Sequence, residues 1–407
     1  MPDPILVIGN PPWVTNATLG GLGSRNLPVK SNIDNLRGIE AITGRSNFDI
    51  SEWMLRESIQ WLASRTGVLA VLCKTAVARK VLAFAWSRDI PMESTSIFRI
   101  DAKTHFGASV DACLLLVRTR PGGDTRKCED YDSLSASQAR RTFGFRQGEL
   151  VADVKLFERW KSLYRTGLNG WRSGVKHDCS RVFELEPMAG GFQNGLREHI
   201  EIELEVVFPL MKSSDLAAGR ASRKWLLMPQ RSMTESPNRL QTVAPRTWGY
   251  LVQHQQLLER RGSSIYRNRP QFTVFGVGPY SFSPWKVAIS GLYKKLDFRC
   301  VGPVGTKPVV FDDTCYFFPC DSEEQASVLH RLVTSDVATE FWTGLVFWDC
   351  KRPITARLLN ALDLAKLARA IGAWDETTRL IAERQIIDYA EQAHQWFLFH
   401  ESAPPYG

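Results

Sequence analysis

The chain is predicted to be α/β: the second half of a doubly wound sheet, then a mixed α+β region, then a helical C-terminus. Three observations carry this. Within the first 120 residues the segments alternate as strand, helix, strand, helix, strand, strand. From 225 to 320, short strand-like runs are broken repeatedly by Gly and Pro. After Asp321 the apolar residues recur mostly at helical spacing.

Pro4 to Ile8 is an apolar run that stops at Gly9-Asn10, as a buried parallel strand does at a loop. Val14 to Asn47, with five glycines and no period, reads as a long loop, and long loops beside strand ends are usually functional. Asp49-Ile50-Ser51-Glu52 is a capping box opening a helix with Ile50, Trp53, Met54, Trp61 and Leu62 at helical spacing. Gly67 opens a strand over Val68–Leu72, and Thr75 is placed to cap a helix running to about Trp86. Thr95–Ile100 and Val110–Thr119 follow as strands joined through His105-Phe106-Gly107. Pro121-Gly122-Gly123-Asp124 is the strongest linker signal. Beyond it, helices are expected near Leu156–Leu163 and over Glu323–Val333, Ala356–Ile371 and Glu376–Phe397. The expected divisions are 1–120, a connecting region 121–215, a basic region 216–320 and a helical region 321–407.

With 407 residues, 44% of them hydrophobic and 23% charged, the chain can bury a substantial core. No run of about 18 apolar residues and no leader is present, so a soluble, cytoplasmic protein without a membrane partner is expected. The eight cysteines are scattered with no C-x-x-C pair, which argues for reduced thiols and no zinc site; His177 and Cys179 alone are too few ligands.

The net charge of +8 is localised. Between Ala217 and Pro270 lie ten basic residues (Arg220, Arg223, Lys224, Arg231, Arg239, Arg246, Arg260, Arg261, Arg267 and Arg269) against Glu235 and Glu259. Elsewhere the two signs balance. Trp225, Trp248, Tyr250 and Tyr266 are interleaved with the charge. A surface for the phosphates of double-stranded DNA is one reading, since Lys and Arg release counterions there; a solvated arginine-rich face is the other.

Asn10-Pro11-Pro12-Trp13 resembles motif IV of the amino-methyltransferases, enzymes that methylate an exocyclic base nitrogen. The chemistry accounts for the residue types. The lone pair of adenine N6 is delocalised into the ring, so the nitrogen is a poor nucleophile. An Asn oxygen and a backbone carbonyl accepting from N6–H return electron density as the methyl arrives. Pro11 and Pro12 stiffen the loop, and the Trp13 ring can stack on a base that has left the duplex.

The resemblance extends to the γ class of adenine-N6 DNA methyltransferases through Phe48-Asp49 with its helix, Gly67–Lys74, and His105–Ala112. It implies a Rossmann-like sheet, and makes Phe106 the second aromatic at the flipped base, opposite Trp13 so that the two sandwich it, or edge-on to Trp13. Trp171–Asp178, Pro209–Lys212 and Phe275–Phe282 are similar to target-recognition regions of type I-like and type IIG restriction-modification enzymes.

The resemblance places the glycine-rich S-adenosylmethionine motif upstream of motif IV, where only nine residues precede Asn10. The cofactor half is therefore expected from a separate subunit or an upstream segment. Phe275-Gly276-Val277-Gly278 is a poor substitute, because Pro279–Pro284 cannot open the helix such a loop needs. Asp312-Asp313 and Asp349-Cys350-Lys351 lack a paired acid-x-Lys arrangement for nuclease chemistry and read as surface or cap residues. Competing functions are a non-catalytic DNA-binding specificity module, an inactive fragment, and an RNA or protein amino-methyltransferase.

Overall fold

In the computed structural model, which describes residues 4–13, 49–165, 170–375 and 377, the apolar run before Asn10 forms β1 (Ile5–Gly9). It pairs in parallel with β2 (Gly67–Lys74), Ile5 opposite Gly67. A side chain at Gly67 would meet the Ile5 carbonyl at 2.9 Å and Leu62 at 2.7 Å, so the glycine lets the two strands and the preceding helix close up. Val14–Asn47 lies outside the described residues.

The chain divides into two units, Met1–Lys161 with Thr343–Cys350, and Ser162–Trp342 with Lys351–Gly407. In the first, helix α1 (Ile50–Trp61) follows Asp49 and helix α2 (Thr75–Ser87) follows β2. Strand β3 (Ser94–Ile100), the short helix α3 (Ala102–Phe106) and β4 (Ala112–Thr119) come next. Strands β5 (Lys127–Tyr131), β6 (Arg141–Arg146) and β7 (Glu149–Val151) complete a seven-stranded sheet ordered β1-β2-β4-β3-β5-β6-β7. Pairing is parallel for β1–β2 and β3–β5 and antiparallel elsewhere.

The expected linker at Pro121–Asp124 falls inside this sheet. Gly123 donates to the Arg120 carbonyl, and a Cβ there would lie 2.5 Å from the Met92 carbonyl, so the run is a tight turn between β4 and β5. The compact unit that holds this sheet runs on to Lys161.

One face of the sheet is closed. Leu69, Val71 and Cys73 of β2 and Cys113, Leu115 and Val117 of β4 pack with Leu55 and Ile59 of α1 and with Val77, Val81 and Ala85 of α2. The alternate residues Val68, Ala70, Leu72, Leu114 and Leu116 are only half-buried. On β1, Leu6 is 66% and Ile8 75% exposed.

Helix α1 differs from its expected stripe: Met54 and Trp61 are exposed, while Ser51, Glu52, Leu55, Arg56 and Ile59 are buried. Asp49 caps it as expected, accepting from Ser51 N. Glu52 instead pairs with Arg56 (2.7 Å) and Lys80 (2.9 Å), which is why a charged pair occupies the inner face. Thr75 is the first residue of α2, with Lys74 at the cap position. In place of one helix near Leu156–Leu163, α4 (Val154–Trp160) runs into a 3-10 turn at Lys161–Leu163.

The returning segment Thr343–Cys350 is bound to the first unit by charge and aromatic contacts. Asp349 meets Arg79 at 2.6 Å and Arg99 at 3.3 Å, and Phe347 lies edge-on to Phe143 and under the Arg79 guanidinium. The fully buried Asp130 carboxylate binds Arg99, Arg140 and Arg141. Burial pushes its pKa up, but the Arg99 hydrogen bond and the three guanidiniums outweigh that and hold it below the usual carboxylate range.

The second unit holds two sheets. One has the order β11-β10-β9-β13-β12-β16, from β9 (Glu184–Met188), β10 (Gly191–Asn194), β11 (His199–Ile200), β12 (Val207–Met211), β13 (Lys224–Leu227) and β16 (Val310–Phe311). The other is β15-β14-β17-β8, from β8 (Arg172–Ser173), β14 (Trp285–Ser290), β15 (Phe298–Val301) and β17 (Cys315–Cys320). Every residue of β12 and β17 is buried.

Helix α5 (Ser213–Ala218) follows β12, and α6 (Pro245–Gln253) is capped through Glu203. Helix α7 (Glu323–Val333) matches expectation, and α8 (Asp336–Thr343) follows it. The expected Ala356–Ile371 helix breaks into α9 (Ala356–Asn360) and α10 (Leu364–Ala370), because Asn360 binds the Trp171 backbone through both amide atoms and Asp363 caps a new start. The Glu376–Phe397 helix falls almost wholly outside the described residues. Pairings run across 215/216 and 320/321: β12 pairs with β13 and β16, and His330 of α7 binds the Phe298 carbonyl of β15.

Candidate active site

The Asn10-Pro11-Pro12-Trp13 tetrapeptide begins where β1 ends. Asn10 is exposed at the strand's C-terminal end, and Pro11 and Trp13 are half-buried. Two bonds hold the tetrapeptide to the end of β2. The Trp13 indole Nε1 donates to the Leu72 carbonyl at 3.4 Å, and Lys74 Nζ donates to the Trp13 carbonyl at 2.9 Å. Lys74 is itself held by Asp49 at 2.6 Å, whose other oxygen accepts from the Ser51 amide and hydroxyl. The helix cap and the motif are thus joined through one lysine. Sequence reading passed over Lys74; its signal is a cationic residue closing an otherwise apolar strand.

Phe106 ends α3, where Asp101 caps the start and Gly107 at φ 64° ends the helix. It is 49% exposed and meets Trp13 with ring centroids 5.7 Å apart at 81°. Rings at that angle cannot stack on both faces of one planar base, so the two make a corner, not a sandwich. A cavity of about 340 Å³ lies between Ile100–Lys103 and Ala108–Asp111, and neither Phe106 nor Trp13 lines it.

M.NspV, a type II methyltransferase of Nostoc sp., is 45% identical to this chain over 370 residues, covering 90% of the chain and 77% of the relative. The chain belongs to the type II methyltransferase family. No protein-family model matches it. Among solved structures, the type IIL restriction-modification enzyme MmeI, in complex with DNA, superposes with a TM-score of 0.51 at 11% identity; the match covers 88% of this chain. It covers 46% of MmeI, so the chain spans less than half of that enzyme's length. The likeness is one of fold.

In this methyltransferase the ten basic residues of 217–270 do not form one bare surface. Carboxylates outside the segment reach several of them. Asp215 takes Arg220 and Arg223, Glu184 and Glu186 take Lys224, and Glu203 takes Arg246. Arg239 pairs with Glu235, and Arg231 lies over Phe208 and Phe282. Arg261 is built into the fold: it donates to the Leu258, His177 and Thr273 carbonyls, lies 3.7 Å from the Tyr266 ring centre, and burial lowers its pKa. Arg260, Arg267 and Arg269 are exposed and form no ion pair among the described residues. The interleaved aromatics are packing residues: Tyr250 is buried, Trp225 meets Phe192, and Trp248 meets Phe272.

The remaining motifs of the methyltransferase resolve into scaffold. Lys176 and Phe275 exchange backbone hydrogen bonds of 2.9 Å, which joins two of the recognition-like stretches. Gly276, at φ 72°, is needed because a Cβ would come within 2.6 Å of the Gly174 carbonyl. Val277 is fully buried, and Pro279–Phe282 forms a 3-10 turn, so this loop does not fit S-adenosylmethionine. No other loop among the described residues offers the strand, glycine turn and helix that cofactor requires.

His177 accepts from the Cys179 amide and faces Glu184, and no group of metal-ligating side chains occurs among the described residues. Asp312 is a buried turn residue accepting from Thr314, and Asp349 belongs to the returning segment. No described helix is long and apolar enough to cross a membrane.

Proposed function

We propose that this chain is the catalytic-loop and target-recognition portion of an adenine-N6 DNA methyltransferase. The observation that carries the reading is Asn10-Pro11-Pro12-Trp13 at the C-terminal end of a parallel strand, held there by Lys74 and facing the Phe106 ring at a right angle. Asn10 Oδ1 and the Pro11 carbonyl are assigned to accept hydrogen bonds from the N6 amino group, which makes its nitrogen more electron-rich. Trp13 would stack on the flipped adenine, and Phe106 would meet it edge-on. Exposed Arg260, Arg267 and Arg269, with the outward Arg223 and Arg246, would meet DNA phosphates.

S-adenosylmethionine is the methyl source the family implies, and the described residues do not form its site. The strand order β1-β2-β4-β3, with β4 antiparallel, supports reading this sheet as the second half of a doubly wound one. An apolar edge strand with exposed Leu6 and Ile8 supports a further polypeptide segment, or a separate subunit, continuing the sheet beyond β1.

The test is nucleoside mass spectrometry of duplex DNA treated with the enzyme reconstituted with its cofactor-binding part. Wild type should produce N6-methyladenine. Asn10→Ala should abolish it, a loss of at least about a hundredfold by the magnitude of removed fixed donors and acceptors, while duplex binding persists. Methylation unchanged in Asn10→Ala overturns the assignment, and N4-methylcytosine as product overturns the choice of base.

A further inference from the structure

The second unit contains a cavity of about 590 Å³ that none of these roles uses. It lies between the loop after α5 (Gly219 to Ser222), strand β15 and helix α7. Its floor is apolar, from Met211, Leu216, Val301 and Val309. Its polar lining includes two guanidiniums, Arg220 and Arg299, and the Ser222 hydroxyl.

Two donors here are unused. Arg299 Nε and Ser222 Oγ are buried and have no hydrogen-bond partner among the described residues. Buried polar atoms are partnered in about nine cases of ten, so two at one cavity point to an acceptor that the described residues do not supply. The neighbouring carboxylates leave part of each guanidinium free: Arg299 gives Nη2 to Asp297 at 3.2 Å, and Arg220 gives Nε and Nη2 to Asp215 at 3.4 Å. Lys295 also pairs with Asp297 and Arg223 with Asp215, so cations outnumber these acids. Gly219 adds a steric argument. It sits at φ 64°, and a Cβ there would lie 3.1 Å from Arg299 Nη1, so a larger residue would crowd that guanidinium.

Guanidinium and hydroxyl donors above an apolar floor match a phosphate joined to a ring, and the volume falls in the range of small-ligand sites. We propose that this cavity binds a nucleotide, with its phosphate on Arg299 Nε and Ser222 Oγ and its sugar or base against Met211, Leu216 and Val301. The nucleotide can belong to a DNA strand, in which case the proposal rests on the DNA-binding reading above, or be free in solution, in which case it does not.

Calorimetric titration of the full chain with thymidine monophosphate, and with thymidine as control, tests it. Thymidine monophosphate should bind, and thymidine at least about tenfold more weakly. Arg299→Gln should weaken binding about tenfold or more, the size of one lost charged hydrogen bond. Ser222→Ala should weaken it several-fold without moving the thermal midpoint, and Arg299→Lys should restore part of the loss. Saturating duplex should displace the nucleotide if the ligand is a DNA nucleotide, and leave it bound if the ligand is a free one. No binding of thymidine monophosphate to wild type, or binding unmoved in both Arg299→Gln and Ser222→Ala, overturns the proposal. Methyl transfer is read in none of these arms, so failure here is distinct from failure of the methyltransferase reading.

Discussion

The two units solve the problem of a sheet margin in opposite ways. In the second, β14 and β17 pair over six residues and bury nearly all of them, and Trp171, Phe298 and Trp342 pack together on one another's rings. In the first, β1 is as apolar as those strands yet leaves Leu6 and Ile8 in solvent. Composition alone therefore does not report burial; the cover supplied by neighbouring elements does. A strand that is apolar on both faces and open on one belongs to a surface meant to be covered.

The largest test of this contrast is Trp342→Ala. The side chain is fully buried against Phe298, and its loss should cost about 3–5 kcal/mol in denaturant unfolding. Asp130→Ala leaves Arg99, Arg140 and Arg141 without their shared carboxylate and should cost about 3 kcal/mol, read as a lower thermal midpoint.

A pH titration of stability should separate the units further. Burial pushes the Glu184 carboxyl up, but hydrogen bonds from His177 and Lys212 prevail and hold it at about 2, against an ordinary 4.5. A carboxyl depressed in the folded state stabilises above its ordinary pKa, and that contribution fades as pH falls from about 4.5 to about 2. Glu184→Gln should flatten the stability curve of the second unit across that window; an unchanged slope would show the carboxylate is not tied to folding. The smallest effect belongs to the open margin: Ile8→Ser should change stability by less than about 0.5 kcal/mol. A cost near that of Trp342→Ala would show that β1 is already covered in solution.

Legibility followed distance along the chain. The strand that ends at Asn10 was readable because it is a local apolar run stopping at a Gly-Asn-Pro-Pro turn, and β2 and α7 were readable from period and caps. Lys74, which bonds to Trp13 across 61 residues, left no local pattern. Asp349 looked like a surface or cap residue because Arg79, its partner, is 270 residues away. The basic segment was read as a sum over sequence. In the fold, Glu184, Glu186, Glu203 and Asp215 reach into it from outside and neutralise about half of what looked like a phosphate track. The α1 stripe failed for a related reason, since the buried Glu52–Arg56 pair satisfies itself within one helix and displaces Met54 outward.

The return of Thr343–Cys350 to the first unit bears on how such a protein can be recombined. A chimera that keeps residues up to Lys161 and takes everything after it from a relative also exchanges the peptide bearing Phe347 and Asp349. Arg79 and Arg99 would then depend on the donor's residue at that position, and Phe143 on its ring. Transplanting the second unit alone calls for two junctions on the C-terminal side, one before Thr343 and one after Cys350, with the eight residues between them kept from the recipient. Swaps of the second unit made at a single joint should fail by instability even where the incoming fold is sound.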